Sequence, residues 1–279
     1  MKEKKLLTLG HSPDPDDAFM FYGLNRENAV DTGDYVFEQI LKDIQTLNEM
    51  ALEEKLDITA ISLAAYPMIA DKYAILSSGA SMGINYGPIV VAKQPMEPES
   101  LKNKLIAIPG KLTSAYLELR LFLGKQLNII VKPFDEIFNA VETGEADAGL
   151  VIHEGQLTYT NHKLHKIVDL GQWWYQKTSL PLPLGVNAIH RRHGDHMAEI
   201  SKILKDSILY SMKHRPEAVK YALNFARGMD EALADKFIGM YVNELTVDMG
   251  EKGIKACKLL LSEAYNNGLI DRVVEIDIV

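Results

Sequence analysis

Cysteine is almost absent from this sequence: Cys257 is the only one in 279 residues, which excludes a disulfide framework and a cysteine-based metal centre. Long apolar runs are missing too, and no stretch approaches the roughly 18 apolar residues of a membrane span. Positive charge is in deficit. With 30 Lys and Arg against 38 Asp and Glu, the net charge of −8 argues against a nucleic-acid footprint. Neither a glycine-rich phosphate loop nor a nucleophile elbow occurs, and no segment is of low complexity. What remains is an ordinary globular composition, 47% hydrophobic and 24% charged, on a chain long enough to bury a substantial core. The N-terminal MKEKKLLTLGHS holds basic residues but no apolar stretch of secretory length and no small-residue cleavage site, so a cytoplasmic location is expected.

The first stretch that is rich in information is LLTLGHSPDPDDAFMFYGL, residues 6–24. Leu6, Leu7 and Leu9 suit a buried strand, and Pro13 cannot continue it. Asp14 then sits where an N-cap belongs, Pro15 at the first helical position, and Asp16 and Asp17 in the first turn. A polar turn between a strand and a helix lies at the carboxyl edge of an α/β sheet, where such folds bind ligands. Three carboxylates repel phosphate but accept hydrogen bonds from sugar hydroxyls. Two readings of Asp14 stand side by side, a ligand contact and a cap; for Asp16 and Asp17 the capping and dipole role is the expectation.

The rest of the chain repeats this layout. The strand 57–61 ends at Ser62, followed by the helix-like LAAYPMIADKYA, and the strand 105–108 runs through Pro109-Gly110 to Thr113 and Ser114 at another helix start. A third strand, 147–152, ends at His153. The stretches ending in Ser62 and His153 are built alike and read as equivalent positions in two related lobes. Crossovers near 88–95 and 181–189 divide the chain into a larger lobe, 1–91 with 187–279 and its C-terminal helices, and a smaller lobe, 92–186. Helices are expected from near Asp195, Pro216, Asp230 and Gly250, separated at His214-Arg215, Arg227-Gly228 and Thr246-Val247. The expected architecture is thus a hinged pair of α/β lobes with a cleft between them.

Among ionisable residues His153 stands out, since a neutral imidazole at a strand end beside the cleft can accept a proton, though it also fits as a packed or capping histidine. Glu154 reads as a first-turn dipole partner. His162 with His165, and His190 with His193 and His196, have spacings that a metal tolerates but no ordered acid pattern beside them, and solvated loops are the expectation. Trp173 and Trp174 either stack on an aromatic ligand or cover a core edge. Ser62 and Thr113 read as ligand hydrogen-bonders.

Several of these segments, GHSPDPDDAFMFYGL, SGASMGINYGPIVVAK, IAIPGKLTSAYL, EADAGLVIHEGQLTY, LPLPLG and MYVNELTVDMGEKG, together resemble the 1,4-dihydroxy-6-naphthoate synthase family of the futalosine route to menaquinone. The resemblance covers nearly the whole chain. It implies a periplasmic binding protein-like type 2 fold and a carbon–carbon lyase that converts cyclic dehypoxanthine futalosine to 1,4-dihydroxy-6-naphthoate. It puts the proton-abstracting residue on His153 and substrate contacts on Ala60, Ile61 and Ser62 and on Thr113 and Ser114; Ser114 stands where the family has a small residue. The implied reaction needs no redox step, so no cofactor and no metal are expected. The only partner implied is the small-molecule substrate, with no nucleic acid and no membrane span, and a homodimer is left open. A solute-binding protein and a chorismate dehydratase share the fold and are the competing readings.

Overall fold

The computed structural model describes residues 4–226 and 228–279, so residues 1–3 of the basic N-terminus and Arg227 of the expected helix break lie outside the described residues. Its strands are β1 (Lys5–His11), β2 (Tyr35–Leu41), β3 (Ile58–Ser62), β4 (Tyr73–Ile75), β5 (Ser81–Gly83), β6 (Ile89–Ala92), β7 (Leu105–Ile108), β8 (Asn128–Val131), β9 (Ala148–Val151), β10 (His165–Asp169) and β11 (Leu182–His190). They form two sheets, one in the order β2-β1-β3-β11-β4 with β5 on β11, the other β10-β6-β9-β7-β8.

The two orders are the same pattern. A parallel trio, β2-β1-β3 or β8-β7-β9, is followed by an antiparallel strand, β11 or β6, and then by a strand antiparallel to that one, β4 or β10. β3 and β9 therefore occupy equivalent places, as the likeness of the Ser62 and His153 stretches predicts. The chain passes to the second sheet between Gly83 and Ile89 and returns between Asp169 and Leu182; the divisions expected at 91/92 and 186/187 fall inside β6 and β11.

Carboxyl ends of the parallel strands all lead into polar turns: β1 into Ser12–Asp17, β3 into Ser62, β7 into the turn before Thr113, β9 into His153. The first of these turns is pinned from below, because every residue of the helix Pro15–Met20 is buried. Phe19, Met20 and Phe21 pack with Leu7 and Leu9 and with the C-terminal helices. Those helices, Met197–Lys213, Arg215–Ala222, Glu231–Tyr241 and Gly250–Asn266, begin close to where the sequence places them. One segment differs. The helical reading of residues 63–74 holds only to Ile69, because Tyr73 and Ala74 pair with His190 and Ile189 of β11, and tertiary pairing overrides the local pattern.

Trp174 is fully buried and its indole N–H donates to the Pro181 carbonyl at 3.1 Å, while Trp173 meets Phe122 edge-on at 5.3 Å. Neither lines the cleft described below, so both cover core edges. Trp174→Phe is expected to destabilise the fold by about 1–3 kcal/mol through the orphaned carbonyl, read as a lower denaturant midpoint at unchanged KM. The paired histidines are structural as well: His190 bonds Glu54 and His193 bonds Asp57, and among the described residues no group of three or more ligating side chains is placed to hold a metal. Burial pushes the Cys257 thiol up to about 12, which leaves it unreactive.

Candidate active site

Between the sheets lies a cleft lined by residues of both. Ala60, Ile61, Ser62, Thr113, Ser114 and His153 all line it. Asp14 does not.

His153 follows β9 with a backbone φ of +54°, a left-handed conformation that is uncommon for a residue other than glycine and that clusters at functional sites. This bend presents the imidazole to the cleft with Nδ1 3.2 Å from Asp14 Oδ2. The Phe134 ring meets the imidazole edge-on at 4.9 Å and helps fix its plane. Nε2 is buried and has no hydrogen-bond partner. A cleft-lining histidine held at one nitrogen by a carboxylate, with the other nitrogen unpartnered, is an arrangement that general bases use.

The Asp14 carboxylate makes no cap bond to its own helix, although the residue does occupy the N-cap position. It reaches across to the second sheet instead. The adjacent acids are not simple dipole residues either, since both Asp16 and Asp17 line the cleft, and Asp17 Oδ2 accepts the Ser12 N–H at 2.8 Å. Burial pushes both carboxyls up; at Asp16 the neighbouring charges of Asp17 and Asp14 add to it, whereas at Asp17 His11 and the Ser12 N–H oppose it.

Opposite the acids, Ser62 is gripped by Asn48: its N–H donates to Asn48 Oδ1 at 2.8 Å and its Oγ accepts from Asn48 Nδ2 at 3.0 Å. That leaves the hydroxyl proton free for a ligand. Thr113 caps the helix Ser114–Leu123, its Oγ1 accepting from Tyr116 N and donating to the Gly110 carbonyl. Ser114 Oγ donates to the Leu184 carbonyl at 2.5 Å and accepts from Ala64 N at 3.2 Å, so its hydroxyl ties three segments together. What these two residues offer the cleft is a helix start, whose first N–H groups lack intrahelical acceptors.

Three cleft residues carry no signal of their own in the sequence. Asn187, on β11, is 1% exposed and neither its Nδ2 nor its Oδ1 has a partner. Gly79 makes room for it, because a Cβ there would fall 2.0 Å from Asn187 Nδ2, and the glycine φ is +84°. Tyr241 donates to Gln156 Oε1 at 2.7 Å, joining the C-terminal helices to the segment after His153. Only the LPLPLG crossover pattern hinted that β11 reaches the site.

Two α/β sheets of like topology, joined by two crossovers around a cleft, define the binding-protein class of fold. Solved structures agree. The chain superposes with a TM-score of 0.69 on a ligand-binding component of an ABC-type import system from Staphylococcus aureus, at 14% identity over 96% of this chain and 93% of that one. An alkanesulfonate-binding protein from Xanthomonas axonopodis gives 0.68 at 13% identity over 98% and 96%. A crystal structure of a protein from Archaeoglobus fulgidus is much nearer, with a TM-score of 0.88 and 43% identity over 95% and 98%. Residues 7–266 match the menaquinone biosynthesis family model. Two curated 1,4-dihydroxy-6-naphthoate synthases are each 37% identical, from Thermus thermophilus over 94% of this chain and 95% of its own, and from Streptomyces coelicolor over 95% and 94%. The chain belongs to the menaquinone biosynthesis family and is an enzyme of that biosynthesis.

Proposed function

We propose that this enzyme is a 1,4-dihydroxy-6-naphthoate synthase, a cytoplasmic carbon–carbon lyase that takes cyclic dehypoxanthine futalosine, with His153 as its general base. The observation that carries the reading is that His153 lines the cleft with Nδ1 on Asp14 and a buried Nε2 that has no partner. A receptor needs no such pair. The substrate's carboxylate suits the N–H groups at the start of the helix Ser114–Leu123, and its hydroxyls suit Ser62 and the two open amide atoms of Asn187. Losing the sugar carbons and aromatising the ring takes proton removal and carbon–carbon cleavage. A dry cleft with an oriented base serves both.

Incubating the purified protein with cyclic dehypoxanthine futalosine and following the naphthoate by mass and absorbance tests the reading. Absence of product from folded enzyme sinks it. Ser62→Ala and Asn187→Leu are each expected to weaken substrate binding by about 1–3 kcal/mol, one ligand hydrogen bond apiece. The KM for cyclic dehypoxanthine futalosine checks this, since the product has lost the sugar hydroxyls, and an unchanged KM in both variants shows that the ligand lies elsewhere.

A further inference from the structure

We infer that Asp16 is a second catalytic residue, a neutral carboxylic acid that gives its proton to a substrate oxygen while His153 removes one elsewhere. The inference builds on the proposed reaction. Three carboxyl groups, Asp14, Asp16 and Asp17, crowd one buried turn at the end of β1, and their surroundings differ. Asp14 faces His153, and Asp17 takes the Ser12 N–H with His11 nearby. Asp16 has no histidine beside it. It is 8% exposed, lines the cleft, and its Oδ1 is without a partner.

From the helices packed on this turn, Tyr241 faces Asp16 as a buried phenol already donating to Gln156, and the Arg215 guanidinium is engaged by Asp235. Among the described residues no cation acts on Asp16, and its two acidic neighbours oppose ionisation. A carboxyl kept protonated beside an oriented base separates the acid from the base.

The chemistry balances for a retro-aldol cleavage. His153 Nε2 takes the proton of a substrate carbinol, and the O–H electron pair becomes the new C=O bond. The adjacent carbon–carbon bond breaks, its electron pair passing to the carbon beside a carbonyl group and on to that carbonyl's oxygen. This oxygen takes the Asp16 proton and leaves as an enol, which in the ring is the aromatic hydroxyl. The imidazolium then returns one proton to the Asp16 carboxylate through solvent as products depart, with no oxidant or reductant consumed.

Asp16→Asn keeps the shape and a hydrogen-bond donor but has no acidic proton. Its kcat is expected to fall about 10²-fold, at the low end for a general acid, with product affinity and melting temperature near wild type. The alkaline fall of kcat that ionisation of Asp16 causes should vanish from what activity remains. Independently of turnover, the infrared spectrum of wild-type enzyme at neutral pH should contain the carbonyl stretch of a neutral carboxylic acid that Asp16→Asn removes and Glu118→Gln, a control at a deeply buried carboxyl away from the turn, does not. Wild-type kcat in Asp16→Asn, a loss that only tracks product affinity, or a missing band each overturns the assignment. A wild-type enzyme that shows the band yet makes no naphthoate overturns the substrate reading instead, and supports Asp16 as a neutral acid facing the ligand.

Discussion

His153→Asn is expected to lower kcat by about 10²–10⁴-fold, the usual contribution of a general base, with product binding kept. Asparagine is the better replacement than alanine for reading this effect, because position 153 has a φ of +54° and asparagine tolerates the left-handed region. Its short side chain also keeps a polar group toward Asp14 while placing none where Nε2 was. Folding should therefore be spared and the chemical step lost. Because base removal acts on the transition state, kcat and kcat/KM should fall together. Steady-state rates of naphthoate formation, with product titration beside them, check this. A variant that keeps wild-type kcat would move the base to another residue.

Asp14→Asn is the second large effect, on the order of 10²–10⁴-fold in kcat. The Asp14 carboxylate can only accept, so at 3.2 Å it holds the proton of neutral His153 on Nδ1 and leaves the Nε2 lone pair toward the cleft. An amide can turn its NH₂ to Nδ1 instead. The proton then sits on Nε2, where it blocks proton abstraction with hardly any change of shape. Stability is expected to move little, because the Asp14 side chain makes no cap bond that the amide would lose. Product titration and melting curves separate the outcomes: wild-type kcat in Asp14→Asn would reduce Asp14 to a packing residue.

The helix starts, the strand ends and the equivalence of Ser62 with His153 were legible because period and punctuation are local signals, and Pro13, Pro109 and Gly110 mark their turns without ambiguity. Pairing across long separations was not. Tyr73 and Ala74 continue a helical pattern yet join β11 more than a hundred residues away. For the same reason Asp14 reads from its neighbours as a cap or a ligand contact, whereas it meets His153 across the cleft, a pairing that no local pattern announces. Asn187 lies in no quoted motif, and Tyr241 sits in MYVNELTVDMGEKG without any local sign that it reaches the cleft; burial with open hydrogen-bonding atoms distinguishes Asn187, and that is a property of the fold. That Asp16 and Asp17 line the cleft was not legible, because a first-turn acid is unremarkable until the turn is found to be buried.

The His153–Asp14 contact joins residues carried by different sheets, and the Tyr241–Gln156 hydrogen bond crosses the same seam. Any separation of the halves pulls the aspartate from the ring and leaves the imidazole free to choose its tautomer. With His153 as the proposed base, reactivity is wired as a two-key lock, in which neither half alone holds that base armed. A molecule too small to draw the halves together would then occupy the site without setting it off, and the carbon–carbon bond would break only where bulk water has already been shut out.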